Sequence, residues 1–492
     1  MADIVDFIVC GKHHAEHRLL ALVRLVFCTH EKFCFPGVII SYPFRRGCTT
    51  CLQNRSRRIG CRHLRARRCD GGPFQTPARI LQEQPEYRGT LKMVSYLNLS
   101  SGVAGWRAAV LFPLLAYLVS RLAMLVIGLV ARDQMLNPVD YVWIYHDRVW
   151  LDIWGVWDTG WFLSIMSQGY DHAVSTNPDT PLQANWAFFP LYPMLAAVVA
   201  DLTGLSDFVS LLVVSNLCFI AALIWIHAET VDLYGPKAAK WTVVLLCVVP
   251  GSHVFSSAYS ESTFLLFVVG TLAMARNGHW LAAGCLAALA VLTRNFGVLL
   301  LVPMAVYFVE REVKPPTLKA GWMSGLLTVL GSRRFLAFAA SVLLPCLALG
   351  GFMAFLHERT GDFLAFVTIQ RAWGRTADWP FAALLRPVLE LWLFPLVLWP
   401  SAIAAWVATG LCIVMVWQRQ WAHAAFAFIG LTVLLTAGLL SVFRLVLPIA
   451  PFFMMAGSLM ACWPRIGLAL LPVMVMTEAF LMWGWALGWP VY

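Results

Sequence analysis

Residues 108–130 read AAVLFPLLAYLVSRLAMLVIGLV, an apolar run whose one charge is Arg121. At 1.5 Å per residue, a helix of this length crosses the hydrocarbon core of a bilayer, which takes about 20 apolar residues. The pattern recurs along the chain, with apolar runs near 186–204, 208–228, 239–256, 261–275, 279–309, 335–356, 387–417, 421–442, 445–462 and 466–487. The runs at 279–309 and 387–417 read as one helix or two, so the sequence predicts an all-α polytopic membrane protein of roughly 10–13 crossings. Composition agrees: of 492 residues, 60% are hydrophobic and 13% charged, where a soluble domain carries about 25% charged residues. The runs are continuous rather than alternating, which excludes a membrane β-barrel.

The net charge of +10 is unevenly spread. Residues 1–92 hold 16 Lys/Arg against 7 Asp/Glu, while the other 400 hold 20 against 19. The membrane part is thus close to neutral, and no nucleic-acid partner is expected. Seven of the 13 cysteines fall in 1–92, but Cys48-Thr-Thr-Cys51 with Cys61 and Cys69 has only one two-residue gap, a poor match to paired zinc ligands. The expected organisation is a basic, Cys-rich extension, 1–92, without a fold of its own, and a membrane domain, 93–492.

Polar segments set the orientation. Segment 131–185 has Arg132 and Arg148 against Asp133, Asp140, Asp147, Asp152, Asp158, Asp171 and Asp179, whereas 310–334 has Arg311, Lys314, Lys319, Arg333 and Arg334 against Glu310 and Glu312. Cytoplasmic loops are enriched in Lys and Arg, so 310–334 is expected in the cytoplasm and the acidic loop on the exoplasmic side. If 279–309 is two helices, Tyr259-Ser260-Glu261-Ser262 shares the exoplasmic side, provided that a segment such as Asn185–Pro193 dips in and returns.

The exoplasmic loop is rich in Trp143, Trp150, Trp154, Trp157 and Trp161. Indoles suit both a membrane interface and the apolar C–H faces of sugar rings. Among them Asp158 is followed by the small pair Thr159-Gly160, where a carboxylate can take a proton from a hydroxyl or hold a divalent cation. Asp152, Asp158 and Asp171 share this loop, which leaves a divalent cation open as a cofactor. No His spacing marks a metal site and no P-loop marks a nucleotide site.

Four blocks carry a family resemblance: Trp157-Asp158-Thr159-Gly160-Trp161-Phe162 with Gly169-Tyr170 and Asn185-Trp186-Ala187-Phe188-Phe189-Pro190-Leu191-Tyr192-Pro193; Phe255–Phe264; Thr293-Arg294-Asn295-Phe296-Gly297; and Thr360–Phe366 with Gln370, Trp373, Gly374 and Arg375. From about residue 106 to the C-terminus the chain resembles the phosphatidylinositol-glycan class V mannosyltransferases and their bacterial relatives, the fourth block resembling the bacterial members in particular. The resemblance implies a GT-C-type helical bundle whose first exoplasmic loop carries the active-site Asp. It implies transfer of a mannose or similar hexose from a polyprenyl-phosphate donor to a glycolipid or protein acceptor, in a bacterial inner membrane or, in a eukaryote, the endoplasmic reticulum. The family's loop Asp maps onto Asp158, as catalytic residue.

A departing phosphate needs positive charge. Arg371 and Arg375, flanking Trp373, and the intramembrane Arg294 and Arg444 are the candidates. With them, Trp157, Trp161, Asn185, Phe189, Tyr259 and Glu261 complete the expected substrate-binding set. Arg121 needs an internal partner, with Asp201 or Glu229 as options. A secondary transporter or flippase is the rival reading, since broken helices with buried charges also build such proteins.

Overall fold

A computed structural model describes residues 102–134, 148–177, 182–313, 329–375, 379–391, 393–395 and 398–489, with the side chains of 102–108 left aside. All of them belong to one compact unit, Glu86–Tyr492. The extension 1–92 lies outside the described residues, as do Trp143, Asp140, Asp147, Asp179, Lys314 and Lys319.

Among the described residues the secondary structure is entirely helical. The longer helices are α1 (Gly102–Asp133), then, past two short ones, α2 (Val149–Asp152) and α3 (Thr159–Gln168), come α4 (Leu191–Thr203), α5 (Asp207–Tyr234), α6 (Pro236–Val248), α7 (Glu261–Arg276), α8 (Trp280–Thr293), α9 (Leu301–Glu312) and α10 (Arg333–Thr360). The chain continues through α11 (Ala365–Thr368), α12 (Pro380–Leu389), α13 (Trp399–Trp417), α14 (Trp421–Thr436), α15 (Val442–Leu445), α16 (Ala450–Cys462) and α17 (Pro464–Ala486). Five, within α1 and at α5, α10, α13 and α17, are long and apolar enough to cross a membrane by themselves. The other apolar runs give shorter helices because local chemistry stops them. Arg294 is extended between α8 and the 3₁₀ turn Asn295–Leu300, so 279–309 is two helices. The run 387–417 likewise divides into α12 and α13. The run 186–204 is helical only from Leu191, after a 3₁₀ turn at Asn185–Ala187.

Side-chain contacts fix which helix ends lie together. Arg276 at the end of α7 binds Glu229 and Asp232 near the end of α5, and Arg334 of α10 binds Glu312 of α9. This end is opposite the one where the Asp158 loop meets Tyr259, because Arg276 ends α7 and Glu261 begins it. The polar cluster Tyr259–Ser262 therefore shares the side of Asp158. The start of α4 packs beside the first turns of α5, with the Tyr192 hydroxyl donating to Leu211 C=O, so the chain at Ser215 is again at the level of Tyr192.

Arg121 corrects the expected pairing. Its Nη1 donates to Ser252 C=O at 2.7 Å and its Nη2 reaches Cys247 C=O, while Glu229 is engaged by Arg276 and Asp201 is exposed. The same turn is held from α17: Glu478 accepts the backbone N–H groups of Gly251 at 2.5 Å and His253 at 2.8 Å. A buried carboxylate thus satisfies donors that no water could reach.

Helices approach closely where side chains are absent. A Cβ on Gly284 of α8 would lie 2.6 Å from the backbone of Ser341 on α10, whereas one on Gly410 of α13 would meet nothing. Small residues admit such backbone contact between membrane helices. Gly284→Val should therefore destabilise the protein by about 1–3 kcal/mol, and Gly410→Val by less than about 0.5 kcal/mol, measured by thermal unfolding in detergent.

Candidate active site

The loop after α1 is held in place by contacts along its length. Trp485 on α17 donates its indole N–H to Ile153 C=O at 3.0 Å, and Asp152, buried, pairs with Arg132 at 2.9 Å. Asp171 binds the backbone N–H of Asn185, whose side chain in turn binds Gly169 C=O and Ser164. Asp152, Asp158 and Asp171 are therefore not gathered around one point. Among the described residues no three His, Cys, Asp or Glu side chains come together as a metal site.

Asp158 stands at the start of α3, next to Trp157, whose φ of 56° is left-handed. A bulky residue in that region stores about 1–3 kcal/mol of strain, which the surroundings must over-determine. Here the Trp157 indole donates to Trp489 C=O, and the neighbouring backbone is held by Tyr259.

Around Asp158 runs a chain of charges from four distant parts of the sequence. Arg444, on the short α15, donates from Nη2 to Asp158 Oδ2 at 2.9 Å, and its Nε lies 3.4 Å from Glu261 Oε1 at the start of α7. Arg294, just past α8, approaches the same Oε1 at 2.9 Å. Glu261 is fully buried and Arg444 nearly so, while the Asp158 side chain keeps 28% exposure. Ions removed from water require partners of opposite sign, and here each buried ion has one.

These groups line one cavity of about 1570 Å³. Four guanidiniums, of Arg294, Arg371, Arg375 and Arg444, face two carboxylates, of Asp158 and Glu261. Arg375 donates to Gln370 rather than to a carboxylate. Burial, then the nearby Arg444 and Arg294 charges, lower its pKa to about 10 against the opposing pull of Asp158. The cavity thus carries a surplus of positive charge, a field that attracts anions. One wall is aromatic: Trp161 stacks on Phe188 at 5.9 Å, and Trp373 meets both edge-on. Another wall is aliphatic, from Val433, Leu434, Ala437, Leu440 and Leu445.

Of the residues singled out from sequence, Trp157, Asp158, Trp161, Phe189, Tyr259, Glu261, Arg294, Arg371, Trp373, Arg375 and Arg444 line this cavity. Asn185 does not. It is buried, its amide spent on Ser164 and Gly169, because it pins the loop that supports α3. Sequence reading passed over Ser441 and Trp485, which also line the cavity. A Trp within an apolar run carries no signal that separates it from lipid-facing neighbours.

Among the described residues, fold and cavity together define a helical membrane protein with a charged, aromatic-walled site. The chain belongs to the Mannosyltransferase (PIG-V) family, whose model matches residues 106–386. It is 29% identical over 152 residues to the GPI alpha-1,6-mannosyltransferase 2 of Mus musculus and 28% identical over 152 residues to that of Cricetulus griseus. Each match covers 29% of this chain and 29% of the relative's own length. Among solved structures it is similar to ArnT from Cupriavidus metallidurans bound to undecaprenyl phosphate, with a TM-score of 0.39 and 16% identity over 79% of this chain and 77% of that one. It is also similar to the Archaeoglobus fulgidus oligosaccharyltransferase, with a TM-score of 0.38 and 14% identity over 77% and 53% of the two chains. Arg444 and Trp485 lie beyond the family-matched span.

Removing the central guanidinium leaves Asp158 unpaired and Glu261 with Arg294 alone, so Arg444→Ala should cost about 1–3 kcal/mol of stability. Arg371→Ala, at the exposed rim, should change it by less than about 0.5 kcal/mol. Denaturant unfolding of both variants in detergent checks the contrast.

Proposed function

We propose that the protein is an integral-membrane glycosyltransferase that moves a mannose or similar hexose from a polyprenyl phosphate to a hydroxyl of a glycolipid or other envelope acceptor at the exoplasmic face. The observation that carries this reading is a carboxylate, Asp158, held by one oxygen in a cavity whose walls are cationic, aromatic and aliphatic at once. A lipid-linked sugar phosphate needs all three: cations for the phosphate, flat rings for the pyranose and aliphatic side chains for the first isoprene units.

In the proposed reaction Asp158 Oδ2 stays with Arg444 and Oδ1 takes the proton of the acceptor hydroxyl. The acceptor oxygen so freed attacks the anomeric carbon as the bond from this carbon to the phosphate oxygen breaks. The leaving polyprenyl phosphate takes the bonding electrons and is received by Arg375 and Arg371. A single in-line displacement inverts the anomeric centre. Trp161 and Trp373 would hold the sugar ring, with Trp157 and Phe189 beside it, and Arg294 and Glu261 would fix the position of Arg444.

The test uses the protein in lipid, with polyprenyl-phosphate mannose as donor and a mannose-terminated glycolipid as acceptor. Asp158→Asn should lower kcat by about 10²–10⁴-fold while leaving the folded yield intact. Arg375→Ala should weaken the donor, raising its KM by about tenfold or more, since a charge-assisted bond contributes about 1.5–3 kcal/mol. Equal transfer by Asp158→Asn and the unaltered protein would remove the base assignment. Transbilayer movement of the lipid without bond formation would instead favour a flippase.

A further inference from the structure

Tyr259 touches the cavity, yet its hydroxyl is committed elsewhere. We propose that Tyr259 is a positioning residue whose hydroxyl holds the Asp158 carboxylate in its working place, a role that rests on the reading of Asp158 as the base.

The phenol oxygen accepts the backbone N–H of Asp158 at 3.0 Å, and the phenol proton goes to Val156 C=O, also at 3.0 Å. These two backbone groups flank Trp157, the residue at φ 56°. One hydroxyl therefore clamps the turn on both sides of its strained residue. Without such a clamp, a bulky residue at positive φ returns toward the commoner regions and swings the following side chain with it. The residue after Trp157 is Asp158.

The clamp is anchored in the helical core. Ser215 of α5 donates to Tyr259 C=O at 2.9 Å and shares its hydroxyl with Tyr192 of α4 at 2.8 Å. Beside it, Ala258 N–H donates to Trp154 C=O at 3.0 Å, so the two loops are joined at 154 with 258 as well as at 156 and 158 with 259. The ring is 1% exposed, with Trp485 edge-on at 5.3 Å and the Arg444 guanidinium 5.2 Å from its centroid. The ring thus also seats the guanidinium that grips Asp158 Oδ2. Phenylalanine would keep that seat and lose only the clamp.

Steady-state transfer is measured for Asp158→Asn, Tyr259→Phe and the double variant in lipid, with polyprenyl-phosphate mannose and the mannose-terminated glycolipid. Tyr259→Phe should lower kcat by about 100-fold, the cost of displacing a reacting group by about 1 Å, with donor KM unchanged. The double variant should be no slower than Asp158→Asn alone, since an amide that is no longer a base has nothing further to lose. Wild-type turnover by Tyr259→Phe, a raised KM with kcat intact, or multiplied losses in the double variant would each overturn the proposal. Wild-type turnover by Asp158→Asn would overturn the base assignment itself, whatever Tyr259→Phe does. If Tyr259→Phe gives no folded protein, it is combined with Trp157→Gly, because glycine takes φ 56° without strain. Folded protein from the pair supports the clamp, and continued misfolding refutes it.

Discussion

The structure depends on one buried guanidinium. Arg444 sits between Asp158 and Glu261, and Arg294 closes the row from the other side. In an apolar bundle a single unpaired ion is expensive, whereas alternating ions at about 3 Å offset one another's desolvation. The row therefore acts as a constraint on topology. It can form only if the loop after α1, the start of α7, the end of α8 and the short α15 reach the same depth on the same side. The helical hairpins, the close approach at Gly284 and the Glu478 anchor below the Gly251 turn all serve that meeting.

From that row the character of the cavity follows. The carboxylates are shared with Arg294 and Arg444, so Arg371 and Arg375 supply positive charge in excess. Aromatic rings lie on one wall and aliphatic side chains on another. On the proposed reading, this surface complements a ligand that joins an anion, a ring and a hydrocarbon chain. Asp158 lines the same cavity and retains solvent access that Glu261 lacks. Two acidic residues of similar chemistry thereby acquire different surroundings, one buried as a counter-ion and the other open to the cavity.

Much of the bundle was legible because hydropathy is a local quantity. The apolar runs at 108–130, 208–228, 335–356 and 466–487 correspond to α1, α5, α10 and α17 with small changes at their ends. Runs that proved divided, such as 279–309, were ambiguous because one Arg amid apolar residues lowers hydropathy alike whether the helix breaks there or carries the charge through, and only the extended backbone of Arg294 decides. The site was partly legible for a different reason. Charged residues in a membrane segment are rare enough to draw notice, so Arg294, Arg444 and Glu261 stood out, whereas Asn185 drew notice and proved to be loop support. Glu478 escaped attention, and Arg121 was given the wrong partners, because both pair with a turn more than a hundred residues away in sequence.

By itself the sequence determined that the chain is helical and lies in a membrane. Those properties are sums over neighbouring residues, which bilayer energetics reads one segment at a time. Only the tertiary structure decided that Arg444 belongs to Asp158, that Tyr259 spends its hydroxyl on the turn around Trp157, and that Asn185 stays out of the cavity. Hydrogen bonds and ion pairs act over about 3 Å, so which groups meet depends on how whole helices are placed.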